Sequence, residues 1–307
     1  MPKKIVFMGT PMFAVPILKS LYQNGYPVTC VYTQPPQKSH RGQKINKSPI
    51  QGISETLNID YRAPLSLKEN KEEYEFFKSI DADLAIVVAY GQIIPKEFLS
   101  LTKKGFINIH ASILPKWRGA APIQRAIMNL DKETGVSIMK IEEKLDTGPV
   151  CNNYKLNIDN NLNVLEISEK LSFIAAERIL DNIDDILEDK AIFKDQDHSK
   201  ATYAIKIQKS EGLIDWIDDA KNIIGKINGL YPVPGAFFML NGERYKILKA
   251  EISSGIGKPG EVLTHYLEIA CGHKQSIKVV EIQREGKRPQ NIGEFMLGSR
   301  IKKGDQI

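Results

Sequence analysis

The chain has 307 residues, of which 42% are hydrophobic and 26% are charged, and its formal net charge is +5. This length suits two domains of ordinary size, and the composition is that of a globular protein, which excludes a collagen-like or low-complexity chain. So small a positive charge favours a nucleic-acid partner only where the basic residues cluster.

The chain begins with Met1-Pro2-Lys3-Lys4 and passes directly into an apolar segment. It shows neither the apolar region and cleavage site of a signal peptide nor a run long enough to span a bilayer. We therefore expect a cytoplasmic protein that makes no membrane contact.

The cysteines exclude a disulfide framework. Cys30, Cys151 and Cys271 are odd in number and far apart, with no Cys-x-x-Cys pair and no histidine at ligand spacing. We expect buried thiols and no metal site.

Strand and helix patterns alternate in the first half of the chain. The apolar runs Ile5–Met8, Val28–Tyr32 and Leu84–Ala89 predict strands, and Phe13–Tyr22 has helical apolar spacing. This order predicts a Rossmann-like α/β fold with a parallel sheet, and ligands beyond the carboxyl ends of its strands. The turn after the first strand lacks the three glycines of a pyrophosphate loop, so NAD binding is not predicted.

Three polar residues near predicted strand ends form a candidate active site. Asn108 and His110 are two apart at the end of the predicted strand Phe106–Ile109, so both side chains point to one side. Asp146 lies in the turn signal Asp-Thr-Gly-Pro after the strand-like segment Gly135–Ile141, and we expect this turn to follow a neighbouring strand end. An amide, an imidazole and a carboxylate suit an oxyanion donor and acid–base chemistry. Taken alone, each residue also fits an ordinary hydrogen-bonding role.

The second half predicts a separate β domain. Apolar residues from Val164 to Leu187 lie on one helical face, and the periodicity then fades. We predict a first domain over 1–188, a linker over 189–207 and a second domain over 208–307. After a helix near Ala220–Asn228, short strands indicate a small barrel; they are predicted at Ala236–Leu240, Tyr245–Glu251, Gly260–Leu263, Leu267–Ala270 and Ile277–Gln283.

Basic residues are concentrated in two regions. The segment from Gln34 to Lys47 contains no acidic residue; its basic residues are Lys38, His40, Arg41, Lys44 and Lys47. From Gly242 onward, twelve Lys or Arg face eight Asp or Glu. A nucleic-acid surface and an ordinary solvated surface both fit this pattern.

Several motifs resemble those of the folate-dependent formyltransferases. The strongest is Asn-x-His, followed by Ala111-Ser112-Ile113-Leu114-Pro115, Arg118-Gly119 and Asp146-Thr147-Gly148. Further segments are similar to the members of that family that act on tRNA, and they extend the resemblance over nearly the whole chain: 5–14, 89–95, 214–216, 231–236 and 283–287.

The resemblance implies transfer of the formyl group of 10-formyltetrahydrofolate to the α-amino group of methionyl initiator tRNA. It assigns the formyl oxygen to Asn108 and His110, and the orientation of His110 and the proton of the amine to Asp146. Which of His110 and Asp146 is the kinetic base stays open. The implied second domain is an OB-like barrel that faces tRNA, and we expect a monomer.

The resemblance also implies the remaining binding residues. Those for the reduced folate are Ser112, Ile113, Leu114, Pro115, Tyr90, Gly91, Gln92 and Ile93. Ile113 and Gln92 depart from the residues commonest in the family, and Gln92 leaves its part of the pocket in doubt. Those for tRNA are Arg41, Lys44 and Lys47, of which Arg41 matches by its place in the basic segment before Gly42. Trp117 and Trp216 could stack on bases, but the surroundings of Trp216 favour a core position.

Two other functions compete with this reading. A formyltransferase acting on an amino sugar nucleotide would have the same three catalytic residues, but it would not need a long basic segment or a basic second domain. The second is a protein that binds folate or RNA without catalysis. In that case the presence of Asn108, His110 and Asp146 at neighbouring strand ends would be a coincidence.

Overall fold

The computed structural model describes the backbone of residues 3–39 and 44–307, and the side chains of residues 3–37 and 46–307. Its contacts divide the chain into two compact units. The first consists of residues 1–119, 134–156 and 168–203, and the second of residues 120–133, 157–167 and 204–307.

The described residues form helices and strands along the whole chain. The helices are α1 Val15–Gln23, α2 Pro49–Leu57, α3 Lys71–Ile80, α4 Lys96–Leu99, α5 Pro122–Met128, α6 Val164–Leu187, α7 Ala220–Gly229 and α8 Ile292–Leu297. The strands are β1 Ile5–Gly9, β2 Val28–Tyr32, β3 Gln37–Ser39, β4 Lys44–Asn46, β5 Tyr61–Arg62, β6 Leu84–Val88, β7 Phe106–His110, β8 Arg118–Gly119, β9 Glu133–Lys140, β10 Val150–Asn157, β11 Tyr203–Ala204, β12 Ala236–Leu240, β13 Glu243–Ser253, β14 Glu268–Cys271, β15 Gln275–Arg284 and β16 Gln290–Asn291.

The first unit is built on a seven-stranded sheet with the order β10-β9-β7-β6-β1-β2-β5. The five strands from β7 to β5 are parallel to their neighbours, as the α/β pattern predicts. Strand β9 pairs with β7 in the antiparallel direction, so the sheet is mixed at this side. Every residue of β1 and β6 is buried, because helices cover both faces of a central parallel strand.

The second unit carries an antiparallel sheet in which β12, β13, β15 and β14 are consecutive neighbours and β16 pairs with β15. The prediction that this part of the chain is mostly β is confirmed. The predicted strand over 260–263 is wrong: Gly260 has φ +83°, and Glu261 and Val262 make only isolated bridge pairs. A backbone in the left-handed region interrupts the extended chain that a strand ladder needs.

Trp216 is buried in the apolar core of the second unit, where its ring centroid lies 6.1 Å from that of Phe238. Cys30 and Cys271 are buried as predicted, but Cys151 is partly exposed, because it lies on β10, where buried and solvent-facing residues alternate. Of the helices described, none has the length and apolar character needed to cross a membrane.

Candidate active site

Asn108 and His110 lie on β7 with strands on both sides. Asn108 pairs in register with Val87 of β6 and with Met139 of β9, and His110 is opposite Ser137 of β9. Because alternate residues of a strand share a face, both side chains point the same way, as the sequence predicts. The backbone ladder therefore fixes the spacing of the amide and the imidazole.

The carboxylate of Asp146 meets both side chains. Asn108 Nδ2 donates to Asp146 Oδ1 over 3.3 Å, and His110 Nδ1 lies 3.7 Å from Asp146 Oδ2. The backbone N–H of Gly119 donates to Oδ2 over 2.8 Å. The side chains of His110 and Asp146 are 7% and 9% exposed, whereas Asn108 is partly exposed, so the three predicted residues form one cluster in which the imidazole and the carboxylate are buried.

The route by which Asp146 reaches this cluster differs from the expected strand end. Strand β9 is antiparallel to β7 and ends with Lys140 opposite Ile107, not beside His110. Asp146 lies six residues farther along, in the loop 141–149 that joins β9 to β10. The loop, and not the strand direction, brings the carboxylate to the site.

The imidazole of His110 is oriented by a backbone carbonyl. His110 Nε2 lies 3.0 Å from the carbonyl oxygen of Trp117. A carbonyl oxygen can only accept, so Nε2 carries a hydrogen, and a neutral His110 is unprotonated at Nδ1, the nitrogen that faces Asp146. The expectation that Asp146 alone orients His110 is therefore incomplete. The ring is also oriented by the hydrogen bond that Nε2 donates to the carbonyl oxygen of Trp117.

The segment Ser112–Pro115 is tied to the catalytic sheet by Ser137. The hydroxyl of Ser137 accepts from the N–H of Leu114 over 3.0 Å and donates to the carbonyl of Ser112 over 2.6 Å. Leu114 packs with Met139 and Val150 in a small apolar cluster. Ile113 passes over Gly135. An added Cβ at Gly135 would lie 2.1 Å from the backbone oxygen of Tyr154, which cannot move aside as a side chain can, so a glycine is required there.

The segment Tyr90–Ile93 does not form one continuous wall. Tyr90 is 2% exposed and belongs to the apolar core, and burial raises the pKa of its hydroxyl, so Tyr90 stays neutral at physiological pH. Gln92 is partly buried and donates to the carbonyl of Pro64 over 2.8 Å. Ile93 is 89% exposed, which leaves it free to contact a ligand but not to enclose one.

A cavity of about 880 Å³ adjoins the loop that carries Asp146. Its lining includes Lys144 and Thr147 of that loop together with Arg118 and His198. Among the described residues, no group of three or more His, Cys, Asp or Glu side chains is arranged to hold a metal ion.

The basic segment is a β-hairpin in the region described, with Gln37 opposite Asn46 and Ser39 opposite Lys44. Arg41 lies outside the described residues, and of Lys44 only the backbone is described. Lys47 is exposed and its Nζ lies 2.9 Å from Glu55 Oε2. Glu55, beyond the acid-free segment, therefore neutralises part of the charge that the sequence assigns to Lys47.

Comparison with known proteins gives the family. The formyl transferase family model matches residues 3–183, and the model of the formyl transferase C-terminal domain matches residues 206–300. The methionyl-tRNA formyltransferase of Pelagibacter ubique (strain HTCC1062) is 67% identical over 100% of this chain and 99% of the relative. This chain belongs to the methionyl-tRNA formyltransferase family.

Other members of the formyltransferase family are more distant. The methionyl-tRNA formyltransferase of Brucella abortus (strain S19) is 43% identical over 98% of this chain and 99% of the relative. The crystal structure of WlaRD, a sugar 3N-formyl transferase in the presence of dTDP and 5-N-formyl-THF, covers 94% of this chain and 100% of its own with a TM-score of 0.69. At 20% sequence identity, this structural likeness shows a shared fold and nothing more.

Sequence reasoning missed three groups at the formyltransferase site. The carbonyl of Trp117 and the N–H of Gly119 are backbone atoms, so the sequence gives no signal of their use. Gln196 donates to the carbonyls of Asp146 and Gly148, yet it lies in the polar stretch predicted as a linker. Its burial at 9% exposure, between exposed neighbours, is visible only in the structure.

Proposed function

We propose that this protein transfers the formyl group of 10-formyltetrahydrofolate to the α-amino group of methionyl initiator tRNA. The observation that carries the proposal is the cluster of Asn108, His110 and Asp146, in a chain 67% identical to a methionyl-tRNA formyltransferase. The donor is a substrate of the same chemical class as the 5-N-formyl-THF present with the structural relative.

Asn108 is placed to stabilise developing negative charge. Its amide nitrogen has two hydrogens, of which one is directed to Asp146 Oδ1. The other is available for the formyl oxygen as the amine attacks the formyl carbon, and a positioned donor of this kind is worth several kcal/mol in the transition state.

His110 is placed to take the proton of the attacking amine. Its Nδ1 is the unprotonated nitrogen of the neutral ring, because Nε2 donates to Trp117. A proton gained at Nδ1 would lie beside the carboxylate of Asp146, 3.7 Å away, which stabilises the imidazolium. The bond from nitrogen to the formyl carbon forms, the bond from that carbon to the folate nitrogen breaks, and the proton passes to the folate nitrogen. This geometry favours His110 as the base and Asp146 as its stabilising partner.

The folate contacts remain proposals. We assign the reduced folate to Ser112–Pro115, which Ser137 holds against the sheet, and to Tyr90–Ile93, of which Ile93 offers an exposed apolar side chain. A folate that binds only the folded state should raise the melting temperature of the protein in the absence of tRNA.

The tRNA contacts are proposed for the basic segment from Gln34 to Lys47, through Arg41, Lys44 and Lys47. The twelve basic residues from Gly242 onward are proposed as further contacts with tRNA phosphates. We further propose a monomeric, cytoplasmic enzyme without membrane contact, divided into a domain over 1–188, a linker over 189–207 and an OB-like domain over 208–307.

The decisive experiment offers the purified protein three acceptors with 10-formyltetrahydrofolate: methionyl initiator tRNA, methionyl elongator tRNA and an amino sugar nucleotide. We expect formylation of the initiator tRNA. The fold shared with a sugar 3N-formyl transferase makes the amino sugar nucleotide the second candidate. Formylation of the sugar alone would overturn the assignment of the acceptor.

A substitution in the basic segment tests the tRNA contact separately. Arg41→Ala should lower kcat/KM for initiator tRNA by about tenfold or more and leave the KM for folate near its original value, because an arginine at the acceptor end positions the substrate as well as binding charge. Lys68→Ala, which removes an exposed charge outside the basic segment, is the matched control. Equal kcat/KM for Arg41→Ala and the wild type would refute a role for Arg41 in binding tRNA.

A further inference from the structure

Asp146 is held in a conformation that its own backbone does not favour. Its φ is +52°, in the left-handed region that non-glycine residues seldom occupy. It lies in a loop, so no strand ladder fixes its position. Some other contact must therefore keep the carboxylate between Asn108, His110 and Gly119.

The side chain of Gln196 supplies that contact. Its Nε2 donates to the carbonyl of Asp146 over 2.9 Å and to the carbonyl of Gly148 over 2.7 Å. Its Oε1 accepts from Arg118 Nε over 3.1 Å and from Arg118 Nη2 over 2.7 Å. Both hydrogens of the amide and its oxygen are therefore used, within a side chain that is almost completely buried.

This arrangement accepts only one orientation of the amide. A guanidinium can only donate and the two carbonyls can only accept, so Oε1 must face Arg118 and Nε2 must face the loop. A glutamate at this position could bind Arg118 but could not donate to Asp146 or Gly148. Arg118 is itself 2% exposed, so its side chain is fixed within the interior.

The short strand β8, Arg118–Gly119, supports both the backbone of Asp146, through Gln196, and its side chain. Arg118 fixes Gln196, which holds the backbone of Asp146, while the N–H of the next residue, Gly119, donates to the carboxylate. The N–H of Arg118 in turn donates to the carbonyl of Thr202 over 2.9 Å. Strand β8 is therefore the common anchor of the backbone and the side chain of Asp146.

We propose that Gln196, anchored by Arg118, is a positioning residue that sets the place of the Asp146 carboxylate in the formyl transfer reaction. Gln196 touches no reacting atom, and its effect passes through the peptide of Asp146. The proposal rests on the proposed function only for the identity of the acceptor, because the contacts of Gln196 are the same whichever amine is formylated.

The test compares Gln196→Glu with Asn182→Asp. Asn182 is a matched control: it is 3% exposed, its amide donates to Tyr154 Oη and to the carbonyl of Arg178, each over 2.6 Å, and its oxygen accepts from Asn152. Each variant places a carboxylate where a buried amide donated two hydrogen bonds, but Asn182 makes no contact with the catalytic residues. Gln196→Met, similar in length and uncharged, guards against failure of Gln196→Glu to fold.

We expect both Gln196 variants to lose about tenfold to a hundredfold in kcat, because a small misplacement of a catalytic group has effects of this size. The KM values for folate and acceptor should change by less than about threefold. Asn182→Asp should lower the melting temperature to a similar extent and keep kcat within about threefold of the wild type. In Gln196→Glu, and not in Asn182→Asp, the amide hydrogen of Gly119 should also exchange faster with solvent, since its acceptor has moved.

Two results would overturn the proposal: wild-type kcat in a folded Gln196 variant, or an equal loss of kcat in Asn182→Asp. The acceptor is tested separately by the wild type. If the wild type formylates an amino sugar nucleotide and not tRNA, the proposed function fails, and the ratios of kcat are then measured with that acceptor.

Discussion

Asn108 and His110 reach the candidate site from a strand, whereas Asp146 reaches it from a loop. Neighbouring strands hydrogen-bond β7 on both sides, so many backbone contacts share the task of placing its side chains. The loop 141–149 depends on a few particular atoms, above all the amide of Gln196 and the N–H of Gly119. The strand side of the site should therefore tolerate single changes better than the loop side.

The largest effects should come from removing the side chains proposed to be catalytic. Asn108→Ala and Asp146→Ala should each lower kcat by about a hundredfold or more, because the loss of a preorganised donor or charge is felt mainly in the transition state. Asp146→Ala should also lower stability more than Asn108→Ala, since it leaves the N–H of Gly119 without its acceptor.

Steady-state formylation at saturating folate measures the first effect, and urea denaturation the second. Activity within about threefold of the wild type in either variant would remove that residue from the mechanism.

A smaller effect is expected from Ser137→Ala on the strand side. The substitution leaves the N–H of Leu114 and the carbonyl of Ser112 without their partner, in a position with no exposure to solvent. We expect a loss of about 1–3 kcal/mol in the free energy of unfolding and a higher KM for folate, with kcat less affected. Ser172→Ala is the control, because that buried hydroxyl bonds only to the carbonyl of Glu169. A fall in kcat as large as in Asp146→Ala would contradict the greater tolerance of the strand side.

The smallest effect is expected from Glu211 in the second unit, where a few side-chain contacts also hold a segment that belongs to no strand. There the segment 205–211 is held by Arg125, which donates to the carbonyl of Ile205 and to the carboxylate of Glu211. The hydrogen bonds from Arg125 hold the pKa of Glu211 below its usual value of 4.5. A lowered carboxyl pKa contributes stability above the unfolded value, and that stability is lost as the pH falls through the lower folded value.

Glu211→Gln should therefore cost on the order of 1 kcal/mol near neutral pH and less in acid. Unfolding by urea at about pH 6 and about pH 3, with wild type and variant side by side, gives the difference. A difference that does not shrink in acid would mean that the charge of Glu211 contributes nothing.

The sequence predicts best the elements that have a regular pattern. The aliphatic runs of β1 and β6 and the helical face of α6 are visible because burial repeats along them. Strands of two residues, such as β8 and β16, are too short to carry a period. Helix α3 was not predicted, although Asn70 caps it by accepting from the N–H of Glu73 and so provided a signal.

The residues of the candidate site also differ in how far a regular sequence pattern predicts them. The place of Asn108 and His110 follows from alternation along a strand, and the resemblance to the formyltransferases directs attention to Asp146. The contact of Gln196 with Asp146 joins residues fifty positions apart and depends on how a loop folds. No local pattern encodes such a contact, so Gln196 reads as part of a polar connector.

The left-handed backbone at residue 146 sets stability against activity. Glycine adopts this conformation without strain, whereas aspartate does so at a cost in folding free energy. Glycine at this position would relieve the backbone strain, but it would also remove the carboxylate and leave the N–H of Gly119 without its acceptor, so the gain in stability would be offset and the activity lost. Thermal improvement of this enzyme should be sought away from the loop 141–149.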